Sequence, residues 1–168
     1  VSRLSASPST SVAFTFFLNP GLIMELSRPG AAATLVEGLA LSLLTVGVAF
    51  LPHELAHKVV ALRFGQLAEF RADYGMLFIA VASGLAGFLF AAPGAVHHRG
   101  HITTRQNGLI ALAGPVTNVL LAVLFAVPAF LAGGFIARVG NLGLFINVFL
   151  AGFNMIPYGP LDGRTVLD

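Results

Sequence analysis

His53-Glu54-Leu55-Ala56-His57 lies near the end of a long apolar run, residues 31–64. On a helix, positions i and i+4 share one face. Two imidazoles so placed can bind one Zn²⁺, and the intervening Glu can act as general base on a metal-bound water. Residues destined for hydrocarbon rarely carry three such side chains. Each costs roughly several kcal/mol if left unsatisfied in lipid. A metal is the leading candidate to offset that cost.

The composition agrees with a membrane setting. The chain has 168 residues, 57% hydrophobic and 10% charged, against roughly 45–50% and 25% for soluble domains. Its mean hydropathy is +0.89. These values exclude disorder. A net charge of +2 without a basic cluster gives no reason to expect nucleic acid as a partner. The absence of Cys removes disulfides, thiolate catalysis and Cys-ligated zinc. His, Asp and Glu remain as the ligand pool.

Working outward, residues 1–30 form an N-terminal segment. Its apolar part, 12–24, is interrupted at Asn19-Pro20 and is short of the ~20 residues a span needs. It reads as a partial first span or an interfacial helix. Residues 31–168 form the core. A helix over 31–64 would reach roughly 50 Å, more than the ~30 Å hydrocarbon core. Glu37 would then mark one interface and Lys58 with Arg63 the other, and Gly65 ends the helix. Residues 65–75 read as a short strand or turn. Residues 76–96 are apolar but broken by Gly84, Gly87, Pro93 and Gly94. Residues 97–108 read as a polar loop, 109–132 as a strong span, 133–141 as a Gly-rich connection and 142–157 as a shorter helix. The expected fold class is an all-α polytopic membrane protein. It would be a bundle of about four transmembrane helices with a re-entrant or short β membrane-associated segment over residues 65–96.

Two His ligands leave a catalytic zinc site short of a third protein ligand. Without Cys, and with Glu54 reserved as the base, the best candidate is Asp162 in Pro160-Leu161-Asp162-Gly163. If Asp162 joins His53 and His57, all three lie on one membrane side. Counting crossings back from Asp162 then forces residues 76–96 to leave that side and return to it. Covered irregular backbone is the form such a dip can take. The charges test this separately. Lys58, Arg63, Arg71, Arg99, Arg105 and Arg164 fall on the ligand side, and Arg28 and Arg138 on the other. That excess is the signature of a cytoplasmic face.

The remaining polar residues divide less sharply. His97, His98 and His101 read as a solvated loop, with a second metal site as the sharper option. Gly114-Pro115 reads as a helix-starting and packing device. Asn118 and Asn154 are amides in apolar segments and need partners. Interhelical hydrogen bonding is the default for both, and a place near the substrate carbonyl is the alternative.

Together, His53-Glu54-Leu55-Ala56-His57, Gly114-Pro115-x-x-Asn118 and Asn154-x-x-Pro157-x-x-Pro160-Leu161-Asp162-Gly163 resemble the site-2 protease family of intramembrane zinc metalloproteases. The resemblance covers about residues 35 to 164. It implies one Zn²⁺ per chain held by His53, His57 and Asp162. It implies Glu54 as general base and places the family's polar Asn at Asn154, in contact with the substrate backbone or oxyanion. It further implies a multi-pass protein of the cell membrane, embedded in the lipid bilayer, that cleaves single-span membrane proteins in or near their transmembrane segments. The insert at 76–96 is longer than the short membrane-associated strands expected of that family. A competing reading is a metal-ion transporter or channel, with His53, His57, Asp162 and the His97/His98/His101 loop as an ion path. Glu54 separates the two, because a transport path does not require a base one residue after its first ligand.

Overall fold

The computed structural model describes residue 15 and residues 30–72, 94–99, 102–159 and 161–167. In chain order these form α1 (Ala31–Ser42), a π-helical turn (Leu43–Gly47), α2 (Val48–Arg63), β1 (Leu67–Ala72), β2 (Gly94–Arg99), α3 (Thr104–Leu131), α4 (Gly134–Asn154) and α5 (Asp162–Leu167). Among the described residues, three helical stretches are long and apolar enough to cross a membrane: Ala31–Arg63, Thr104–Leu131 and Gly134–Asn154. The fourth span expected of the bundle would fall in residues 12–24, of which only Thr15 is described. The two strands pair with each other. Of the re-entrant passage expected over 76–96, residues 76–93 lie outside the described residues and 94–96 begin β2.

The chain divides into two compact units, residues 1–48 with 71–95 and residues 49–70 with 96–168. In the first, Leu41 and Val46 are buried beside three hydroxyls, those of Thr15, Ser42 and Thr45. The Thr15 hydroxyl donates to Ser42 Oγ at 3.0 Å, and the Thr45 hydroxyl donates to the Leu41 carbonyl at 2.8 Å. Each buried hydroxyl thus meets a partner, as an apolar setting demands.

The second unit holds every residue of the site. Its helix α2 stops where the sequence places the stop. Gly65 adopts φ 72°, Gln66 N–H bonds the Ala61 carbonyl, and Gly65 N–H bonds the Leu62 carbonyl. This is a Schellman termination, which needs a residue tolerant of the left-handed region. Helix α3 begins at Thr104, not near residue 109. Thr103 caps it by accepting from Gln106 N–H, and the Gln106 side chain accepts from Thr103 N–H. Pro115 is therefore interior to α3 and does not start it.

Helix α4 begins at Gly134, so the Gly-rich stretch 133–141 is helix for most of its length and not a connection. Its glycines serve packing. A Cβ on Gly140 would fall 2.7 Å from Ala129 Cα, and one on Gly143 within 2.6 Å of the Phe125 ring. Small residues at such contacts let helix backbones approach closely. Ile110, Ala111, Ala122, Ile146, Leu150 and Ala151 fill the interior. Leu120, Val123, Leu124, Phe130, Phe145 and Val148 are exposed, an outer surface suited to lipid. Gly140→Ala is expected to lower the thermal unfolding midpoint in detergent. Overpacking of this kind costs about 1–3 kcal/mol. An unchanged midpoint would show that α4 does not ride on Ala129.

Candidate metal centre

The i, i+4 spacing on α2 places both imidazoles on one face, and both are buried. Asp162 is the first residue of α5. That short helix sits tightly against Met155 and in ordinary contact with Gly108 of α3. A Cβ on Gly163 would fall 2.8 Å from Met155 Cα, and one on Gly108 of α3 would fall 3.6 Å from the Thr165 carbonyl. The result brings His53 Nε2 to 3.0 Å from His57 Nε2, with Asp162 Oδ2 at 3.4 Å and 3.5 Å from the two nitrogens. Among the described residues these three side chains form a group able to hold a metal ion.

The tautomers follow from the partners of the other ring nitrogens. His57 Nδ1 lies 2.7 Å from the Ile110 carbonyl, which can only accept. His57 Nδ1 therefore carries the proton. His53 Nδ1 lies 2.5 Å from Asn118 Oδ1 and donates to it. The Asn118 amide is oriented by its own two donations, to the Ala49 carbonyl at 3.1 Å and to Asn147 Oδ1 at 2.8 Å. Asn147 in turn donates to the Gly143 carbonyl at 2.8 Å. In the neutral rings both Nε2 atoms then present lone pairs to each other and to a carboxylate oxygen. Only a shared proton or a cation reconciles that arrangement. Zn–N bonds of about 2.0–2.1 Å at tetrahedral angles separate donor atoms by about 3.3–3.5 Å. The two imidazole–Asp162 spacings match that separation, and the His53–His57 spacing is about 0.3 Å shorter than it.

Backbone makes room for the site at Gly114. A Cβ there would fall 2.6 Å from His53 Cε1 and Nε2 and would also overlap His57 Nε2. Glu54 is half-buried and lies close enough to feel the charges of His53, His57 and Asp162. Burial alone would raise the Asp162 carboxyl. When protonated, His53 and His57 donate to the carboxylate and lend it their charge, which outweighs burial and holds the group below its usual range. Zinc affinity is expected to fall on acidification, because both rings must be neutral to ligate. The limiting slope is two protons per ion, about 100-fold per pH unit. Chelator competition across pH reads it, and a limit approaching three would mean that Asp162 is protonated as well.

The structure thus brings together His53, His57 and Asp162, with Glu54 beside them. It places Asn118 on His53, a link the sequence left open. Asn147, which sequence reasoning passed over, supports Asn118; its signal is the same as theirs, a lone amide in an apolar run. Asn154 is half-buried on α4 and donates to the Leu150 carbonyl at 3.0 Å. His97 and His98 lie in β2 and not in a loop, and His101 is outside the described residues.

Three similar proteins carry related names. The chain is 45% identical over 131 residues to "Putative zinc metalloprotease MJ0611" of Methanocaldococcus jannaschii, covering 76% of this chain and 69% of that protein. It is 29% identical over 151 residues to "Putative zinc metalloprotease YwhC" of Bacillus subtilis, covering 74% and 66%. It is 30% identical over 169 residues to "Putative zinc metalloprotease Rip2" of Mycolicibacterium smegmatis, covering 87% and 60%. The chain therefore spans about two thirds of the length of these relatives. No family model and no solved structure matches it.

Proposed function

We propose, from the premise that this chain belongs to the zinc metalloprotease family of its relatives, that it is an intramembrane protease of the site-2 type. It hydrolyses peptide bonds in or near the transmembrane segments of single-span, membrane-tethered substrates. One observation carries the reading. Two His from a helix of membrane-spanning length and a carboxylate from a separate helix bring one potential ligand atom each within 4.8 Å of one another, with a Glu one residue past the first His.

His53 Nε2, His57 Nε2 and Asp162 Oδ2 would hold one Zn²⁺ per chain. When bound, zinc supplies Lewis acidity that polarises a carbonyl and makes water nucleophilic near neutral pH. Glu54 removes a proton from the attacking water and delivers it to the leaving amine. Asn154 takes the smaller role of hydrogen-bonding the substrate backbone or oxyanion. The substrate must arrive locally unwound, since a helix hides its carbonyls in its own hydrogen bonds. Six Lys/Arg on the ligand side against two on the other support a site facing the cytoplasm.

The test is reconstitution of the chain in liposomes with a single-span substrate, with zinc counted. Cleavage should stop on zinc removal and return on zinc addition. A substrate with helix-breaking residues near the cut should be cleaved faster than an all-Leu span. A zinc-loaded protein that cuts soluble unfolded peptides and leaves the single-span substrate intact would overturn the intramembrane assignment.

A further inference from the structure

We infer that Asn118 and Asn147 are positioning residues that hold His53 in the one tautomer able to ligate a metal, through a directed relay that starts at two backbone carbonyls. The inference rests on the metal centre above and is independent of peptide hydrolysis.

The direction of the relay is set by groups that cannot turn. A helix carbonyl only accepts. The Gly143 carbonyl therefore claims the Asn147 NH₂ group and turns Asn147 Oδ1 toward α3. The Ala49 carbonyl and Asn147 Oδ1 together claim both N–H bonds of Asn118. Only Asn118 Oδ1 remains for His53, and an oxygen there requires a proton on His53 Nδ1. The lone pair is then on Nε2, the atom that faces His57 and Asp162. Reversing either amide would set oxygen against oxygen at a carbonyl. Asn118 and Asn147 are both fully buried, so water cannot stand in for a lost partner. His57 needs no such device, because its Nδ1 meets the Ile110 carbonyl directly.

The relay also explains why two helices beyond α2 carry buried amides. Interhelical polar contacts alone would hold helices together whichever way each amide pointed. Here the pointing is determined at every step, and it ends on a ligand. The origin of the chain, Gly143, is itself a close-packing point of α4 against Phe125 of α3. Ligand chemistry on α2 is thereby tied to the seating of α4.

The test uses the full chain in detergent, with His97, His98 and His101 replaced by Gln so that two ¹⁵N-labelled imidazoles remain. In the metal-free protein at alkaline pH, nitrogen shifts should report Nδ1–H on both rings. In Asn118→Leu and Asn147→Leu the His53 signal should gain an Nε2–H population, while the His57 signal stays unchanged as internal control. Zinc affinity by chelator competition should fall about 10- to 100-fold in Asn118→Leu, the usual loss for an outer partner of a ligating His. The double variant should bind zinc no more weakly than Asn118→Leu, because Asn147 acts only through Asn118. An Nε2–H tautomer at His53 in the wild type overturns the inference even if neither variant folds. Additive losses in the double variant, or affinities within threefold of wild type with zinc still bound, overturn it as well. A wild type that binds no zinc defeats both this inference and the metal centre. A wild type that binds zinc and cleaves nothing defeats only the proposed activity.

Discussion

Glu54→Gln is expected to keep zinc bound and to lose hydrolysis by about 10²- to 10⁴-fold, the usual contribution of a positioned general base. The reasoning is steric and electrostatic. Glutamine has the shape of glutamate and leaves His53, His57 and Asp162 untouched, so the three donor atoms still converge. What it lacks is the capacity to take a proton. Glu54 follows His53 on α2 and lies close enough to His53, His57 and Asp162 to feel their charges. A transport path built on the same ligands would not need it. Zinc counting and substrate cleavage on the same preparation separate the outcomes. Wild-type turnover by the variant would remove Glu54 from the chemistry. Loss of zinc alongside activity would make it a structural partner of the ligands.

The grouping of His53, His57 and Asp162 was legible because each residue rests on a local rule. A two-His spacing of four residues shares a helix face, and Asp162, in the Pro/Gly-rich stretch after the last apolar helix, is the best candidate acid once Cys is absent. The end of α2 was legible at Gly65 for the same kind of reason. What failed were residues whose local rule has two meanings. Glycines at 133–141 read as breakers. Inside α4, Gly140 instead accepts Ala129 against its bare backbone, an interaction no window of sequence contains. Thr103-Thr104-Arg105-Gln106 read as loop because it is polar. It carries the capping-box pattern of a Thr followed three residues later by Gln, and that signal alone would have moved the start of α3. The amides show the limit most plainly. Asn118, Asn147 and Asn154 look alike in sequence, each a lone amide among apolar neighbours. Only the packing of three helices turns one onto His53, a second onto the first, and leaves the third bonded to its own helix.

Gly114→Ala is expected to disable the metal centre while leaving the helices formed. The added methyl would stand 2.6 Å from His53 Cε1 and Nε2 and overlap His57 Nε2, separations that real carbon atoms do not tolerate. The rings cannot rotate away freely. His53 is bonded through Nδ1 to Asn118 and His57 through Nδ1 to the Ile110 carbonyl, so relief must come from shifting α2 against α3 or from giving up those bonds. Either response spreads the donor atoms beyond the spacing a zinc ion spans, and an error of about 1 Å in such a site can cost about 10²-fold in rate. Zinc affinity should therefore fall by at least about 100-fold, with cleavage lost in parallel. The control is Gly152→Ala on α4. A Cβ there meets nothing within 4 Å, and helix propensity favours Ala over Gly by about 1 kcal/mol. That variant should keep both zinc and activity, with equal or higher thermal stability. If Gly114→Ala binds zinc as tightly as Gly152→Ala does, α3 does not lie against the ligands as described, and the case for Gly114 as the floor of the metal centre fails.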